Sequence, residues 1–199
     1  MPIAKSQMGE TVQAGVGKSA QGDACVGLGG VFNVQCFDAD GNLKWEDQFH
    51  NLVVNQGLQY LNTQFFTGSA YTATWYLGLV TGPGSGTTYT STQTLASHGT
   101  TGSGGWTEYT DYSGTRSSVT FGSASNADPS VISNTASPSV FVITGGGGTV
   151  AGAFLTNSPS GTSGVSPILF SAGDFTGGDK LVASGDTINV TYTFNADAA

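Results

Sequence analysis

The sequence predicts an all-β protein: a β-sandwich or jelly-roll-like body with one short α-helix, preceded by an extended N-terminal arm. Three observations point there. Charged residues make up only 9% of the chain, whereas helical proteins coat their solvent faces with Glu, Lys and Arg. Glycine reaches 31 residues and Ser and Thr dominate the polar positions, which suits strands separated by tight turns. Short apolar stretches recur at regular spacing with turn signals between them, as in a two-sheet sandwich. A parallel α/β fold would need several crossover helices, and the sequence offers one.

Two regions divide the 199 residues. Residues 1–27 are poor in apolar side chains and lack a period of two or 3.6, so they read as an extended Gly-rich arm. Residues 28–199 are long enough to bury a core. In "GGVFNVQCF", Val31, Asn33, Gln35 and Phe37 alternate with Phe32, Val34 and Cys36. "DADGN" supplies turn chemistry and "LKWEDQF" returns as a second strand, giving a β-hairpin. The helix follows over about 55–66, in "NQGLQYLNTQFF". Val54, Leu58, Leu61 and Phe65 lay one apolar stripe along it, Asn55 suits its N-cap, and Gly68 suits its C-cap. Later segments read as strand and turn: "TATWYLGLV", the loop "GPGSGTT", "SSVTF" and "SVFVIT". The tetraglycine 145–148 is expected to join "SVFVIT" to "TVAGAFL" as a hairpin. "PILFSA" and "TINVTYTF" complete the set, the last with Ile188, Val190, Tyr192 and Phe194 on one face.

Gly15-Val16-Gly17-Lys18-Ser19 resembles the end of a phosphate-binding loop, but the pattern is incomplete. The required earlier glycine is Val12, no apolar strand leads in, and the glycines downstream oppose a following helix. The stretch reads as arm. Ordering that arm costs about 25–50 kcal/mol at about 1–2 kcal/mol per residue. Ile3, Met8, Val12, Val16 and Val26 would each return only about 1.5–3 kcal/mol. Order in the arm therefore implies neighbouring chains that hydrogen-bond its backbone, as in strand addition.

The net charge is −8, with 13 acids against five scattered bases. Nucleic acid and anionic membranes both select clustered Lys and Arg, so neither is an expected partner. No signal peptide or membrane-length apolar run is visible. With only Cys25 and Cys36, the expectation is a soluble protein from a reducing cytoplasm with both thiols free.

The candidate chemistry is thin. Asp38, Asp40 and Asn42 suggest a calcium loop, yet Gly41 is fourth and Phe49 twelfth where an EF-hand needs glycine sixth and glutamate twelfth. An Asp-Gly hairpin turn is expected instead. His50 and His98 lack metal-like spacing, and no Gly-x-Ser-x-Gly elbow occurs. Glu108 and Asp111, in "GWTEYTDYSG", lie among aromatics as glycan-cleaving carboxylates can. An exposed aromatic-rich loop or an intersubunit contact is the favoured reading, since a cleaving pair must also face each other across a cleft. No catalytic residue, metal or cofactor is assigned, and the expectation is a non-enzyme.

Several segments together resemble a family of small virion proteins of tailed bacteriophages and prophages. They are "NLVVNQGLQYLN", "TATWYLGLV", "ASHGTTGSGGWTEYTDYSGTR", "SVFVITGGGGTVAGAFL" and "LFSAGDFTGGDKLVASGDTINVTYTF", spanning roughly residues 28 to 196. The Trp-Tyr-Leu-Gly-Leu strand and the Gly-Trp-Thr-Glu-Tyr loop are the most specific parts. The resemblance implies a structural role in the virion, brings no catalytic motif, and leaves head or tail open.

The leading expectation is a capsid decoration or cement protein, a homotrimer on the major capsid protein, with its arm reaching across capsomer boundaries. Ile3, Met8, Val12 and Lys18 of the arm, with Trp106 and Tyr109 of the body, are the candidate protein-contact residues. A tail fibre or spike adaptor, or a receptor-binding tail component, is the first alternative. A virion-associated glycan hydrolase using Glu108 and Asp111 is the second.

Overall fold

The alternation over "GGVFNVQCF" folds as β1 (Val26–Phe37), which turns through 38–42 into β2 (Leu43–His50). The computed structural model describes residues 26–67, 74–81, 89–98, 106–161 and 167–198. The arm's Ile3, Met8, Val12 and Lys18, and Cys25 with them, lie outside the described residues. The expected arm–body boundary after residue 27 falls inside β1, which already pairs at Val26. In the β1–β2 turn, Asp38 Oδ1 accepts the amides of Asp40 at 3.0 Å and Asn42 at 2.8 Å. Gly41 supplies the positive φ of 84° that the turn requires. The expected Asp-Gly turn is therefore present.

Beyond β2 come β3 (Leu52–Val53), α1 (Asn55–Thr67), β4 (Trp75–Thr81) and a single helical turn, α2 (Leu95–His98). The helical turn α2 is not predicted by the strand-and-turn pattern of this region, and its Leu95 is fully buried. Then follow β5 (Thr107–Tyr109), β6 (Ser117–Val119), β7 (Ser130–Ser133), β8 (Ser139–Val142), β9 (Gly148–Val150) and β10 (Gly152–Thr156). The chain ends with β11 (Leu169–Asp174), β12 (Lys180–Val182) and β13 (Thr187–Ala198).

Among the described residues all strand pairings are antiparallel. The first sheet runs β2-β1-β13, with β7 and β8 sharing the far edge of β13. The second runs β3-β11-β10-β4, with β5 and β6 sharing the far edge of β4. β9 and β12 form a small ribbon. The expected hairpin at the tetraglycine is not formed. β8 pairs with β13 in the first sheet, while β10 pairs with β4 and β11 in the second. The glycines carry the chain between sheets, with φ of 82° at Gly147 and 158° at Gly148.

The two sheets close on an apolar core that includes Phe32, Val34, Leu77, Leu79, Leu155, Ile188, Val190 and Tyr192. Alternation in β13 thus places Ile188, Val190 and Tyr192 inward as its sequence indicates. Behind the second sheet lies another core, of Val54, Val80, Leu95, Trp106, Phe154, Leu169 and Ala172. The second sheet is therefore buried on both faces, which is why β10 reads as an unbroken run of buried residues. A bulge in β11 serves both cores. Leu155 pairs with Ser171 and Thr156 with Leu169, leaving Phe170 extra. The extra residue lets Leu169 and Ala172, three apart, both join the core behind, while Phe170 joins the sandwich core and the Ser171 hydroxyl reaches Tyr192 Oη at 3.5 Å on that same side.

Candidate docking surface on helix α1

Helix α1, "NQGLQYLNTQFFT", contains no charged residue. Its first hydrogen bond runs from the Leu58 amide to the Val54 carbonyl at 3.0 Å. Asn55 therefore lies within the first turn rather than capping it; its own amide donates to the Ser91 carbonyl at 2.7 Å. Three features fasten the N-terminal half to β11. Val54 is buried in the rear core, Gln56 Oε1 accepts the Leu169 amide at 2.9 Å, and Gly57 meets the Phe170 backbone so closely that a Cβ would collide with its carbonyl.

The C-terminal half lacks such support. Leu61 still packs on the sandwich core, but Phe65 is 78% exposed and Phe66 77%. The predicted stripe therefore ends before Phe65. Phe65 and Phe66 instead stand edge-to-face, with ring centroids 4.9 Å apart.

Beside them a chain of rings runs into the body. Tyr60 meets Trp75 edge-on at 5.9 Å, Trp75 meets Phe170 at 5.3 Å, and Phe170 meets Phe194 at 5.7 Å. Tyr60, Leu61, Gln64, Phe65, Trp75 and Phe170 line an open groove of about 420 Å³. Gln64 Oε1 is buried there with no hydrogen-bond partner among the described residues. From Gln48 to Thr107 the sequence contains no Asp, Glu, Lys or Arg, so α1 and β4 bring no fixed charge to this surface. An apolar groove beside two exposed phenylalanines is suited to burying a partner's side chains.

A second concavity, of about 400 Å³, crosses the outer face of the first sheet and is polar. Asn33, Gln35, Glu46, Gln48, Asn189 and Thr191 line it. Gln48 Nε2 donates to Asn33 Oδ1 at 2.7 Å and Gln35 Nε2 to Glu46 Oε2 at 3.2 Å.

The other sequence-derived candidates lie away from this surface or in structural roles, Glu108 in an ion pair with Arg116. Trp106 and Tyr109 are not surface contacts: they are 1% and 4% exposed. Trp106 packs on Phe154 at 5.4 Å, and its large apolar area gives it more to gain in the rear core than on the surface. Glu108 is gripped by Arg116, Nε to Oε1 at 2.8 Å and Nη2 to Oε2 at 2.7 Å. Arg116 Nη1 also donates to the Ser158 and Gly161 carbonyls, both at 3.1 Å. Asp111 is exposed, and its carbonyl accepts the Thr144 amide at 3.0 Å. His50 is exposed at the end of β2 and His98 closes α2. Among the described residues, no three His, Cys, Asp or Glu side chains gather as a metal site, and no helix is long and apolar enough to cross a membrane.

Two acids bind loops to strands, which sequence spacing does not reveal. Burial alone would raise the Asp47 carboxyl, but the Thr176 hydroxyl, the Gly177 and Thr176 amides and Lys180 together hold it below its ordinary value. Asp186 accepts Lys44 Nζ and the Ala183 amide. Cys36 lies beside it, its thiol pushed up to about 11 by burial first and then by the negative charge of Asp186. No family model, curated protein or solved structure matches this chain.

Proposed function

We propose that this chain is a structural protein of a tailed-bacteriophage virion, a capsid decoration protein that binds the major capsid protein and braces the head. The observation that carries the reading is an uncharged apolar docking surface on an otherwise acidic all-β body. The buried acids support it, because Glu108, Asp47 and Asp186 are each committed to holding loops in place. The segment resemblance to small virion proteins agrees with both. In this role the chain acts mechanically: area buried against the shell offsets the outward pressure of packaged DNA, and the acidic remainder disfavours nonspecific association between particles. Gel densitometry of purified virions should give about one copy per major capsid protein. Six or twelve copies per particle would overturn the proposal.

The polar groove on the first sheet favours a second reading, a receptor-binding tail component. Its neutral amides, with the Glu46 carboxylate, offer alternating donors and acceptors of the kind that neutral polyhydroxyl ligands use. That reading expects low copy number, antibody labelling at the tail, and glycan binding that weakens in Gln48→Ala.

A further inference from the structure

We infer that β1 is built to take tension arriving through the chain that precedes it, with Tyr192 as the stop that keeps the strand from sliding out of its sheet. The inference deepens the proposed structural role, which supplies the tension; the resistance belongs to the fold itself.

The place of β1 sets how load enters the body. Residues 1–25 join it through Val26. β1 is paired with β13 along its whole length, Val26 to Ala198 at one end and Phe37 to Thr187 at the other, and with β2 from Val31 to Phe37. Antiparallel ladder bonds lie perpendicular to the strands. A pull along β1 therefore strains the rungs together, whereas a pull across it opens them one after another. Because β2 follows β1 through the turn at 38–42, the lengthwise pull has to slide the whole hairpin past β13.

That slide meets an obstacle. Tyr192 faces Phe32 across the ladder, with ring centroids 4.8 Å apart. Its ring leans over Gly30, where a Cβ would lie 2.5 Å from Tyr192 Oη. Moving β1 two residues toward its N-terminus, about 7 Å, brings Phe32 to the place of Gly30, which the Tyr192 ring already fills. The ring is held there. It is fully buried, and its hydroxyl accepts Asn51 Nδ2 at 2.8 Å and the Ser171 hydroxyl at 3.5 Å. Movement the other way draws Phe32 off the ring, so the stop acts against a pull from the N-terminal side.

Single-molecule force spectroscopy on the full chain tests this, with handles attached at thiols. Native Cys25 directly precedes β1, and Cys36 is fully buried, so it stays unlabelled in the native protein. The second handle is either Ser184→Cys, in the exposed turn before β13, which loads the ladder lengthwise, or Ala199→Cys, at the same end as Val26, which peels it. The lengthwise rupture force should be at least about twice the peeling force. Tyr192→Leu should bring the lengthwise force down toward the peeling force. Phe154→Leu, in the rear core, should lower both in proportion. Should Tyr192→Leu not fold, Asn51→Ala keeps the ring but releases its hydroxyl, and the same selective fall is expected. Equal wild-type forces in the two arrangements would overturn the inference, and so would an unchanged force ratio in the folded stop variant. Six or twelve copies per virion would overturn the capsid role alone, while a high lengthwise force still upheld β1 as the strand that bears load.

Discussion

Arg116 and Glu108 meet in a two-pronged ion pair whose side chains are 1% and 5% exposed. The pair ties β5 to the 110–116 loop, and through the Ser158 and Gly161 carbonyls it also holds the segment after β10. The guanidinium further lies 5.2 Å from the Phe154 ring centroid, where cation–π attraction adds to the bonds. Both carboxylate oxygens are occupied, so Glu108 serves as a staple.

Removing one partner of a buried ion pair strands the other, at about 3–5 kcal/mol. Glu108→Gln should therefore lower the melting temperature by roughly 10 °C for a chain of this size. Glu108→Leu/Arg116→Met should lose less than the two single variants combined, because no charge is left uncompensated. A differential scanning fluorimetry cycle checks this. A Glu108→Gln protein with wild-type stability would show that the pair contributes nothing.

Acid should loosen the loop that Asp47 holds. Its folded carboxyl lies below the ordinary value, so its contribution is complete above about pH 4 and is lost as pH falls through the folded value. Asp197 has the opposite sign. Its carboxyl, though exposed, is raised chiefly by a hydrogen bond with Asp128 and further by the Asp128 charge, so its contribution is present at low pH and lost as pH rises. Urea unfolding between pH 3 and 7 should show a shallower acid limb for Asp47→Asn. Asp128→Asn should gain stability at pH 7, where the two carboxylates repel.

Period-two alternation made the β1–β2 hairpin and β13 legible, because each buries one face against the same core. The second sheet was harder to read. With both faces covered, β10 shows no alternation, and nothing local distinguishes a hairpin at the tetraglycine from a crossing between sheets. The Phe170 bulge is equally silent, since it depends on register with Leu155 and Thr156. At the candidate surface the helix was legible but its exposure was not. Phe65 fits the stripe by spacing, yet the body no longer lies beneath the last turn. Glu108 and Arg116 are eight residues apart, and only the loop between them brings them together. Trp106 looked like a surface aromatic because its glycine-rich neighbours carry no sign of the rear core.

Cys36 should be inert in the folded protein. It is fully buried and its thiol is pushed up to about 11, so very little is thiolate at pH 8. Iodoacetamide at that pH should leave the Cys36 peptide unmodified in native protein and modify it in urea. Native modification at the unfolded rate would show that β1 opens readily.

Gly57 seats α1 directly on β11. Its missing side chain lets the helix approach the Phe170 carbonyl. Gly57→Ala gains helix propensity worth about 1 kcal/mol but must push the helix off β11, an overpacking cost of about 1–3 kcal/mol. A small net loss of stability is expected. Gly78→Ala gives the comparison. A Cβ there collides with the Phe154 ring in the rear core, and in a strand no helix propensity offsets that cost, so its melting temperature should fall further than that of Gly57→Ala. A Gly57→Ala protein as stable as the wild type would show that α1 can shift off β11 without cost.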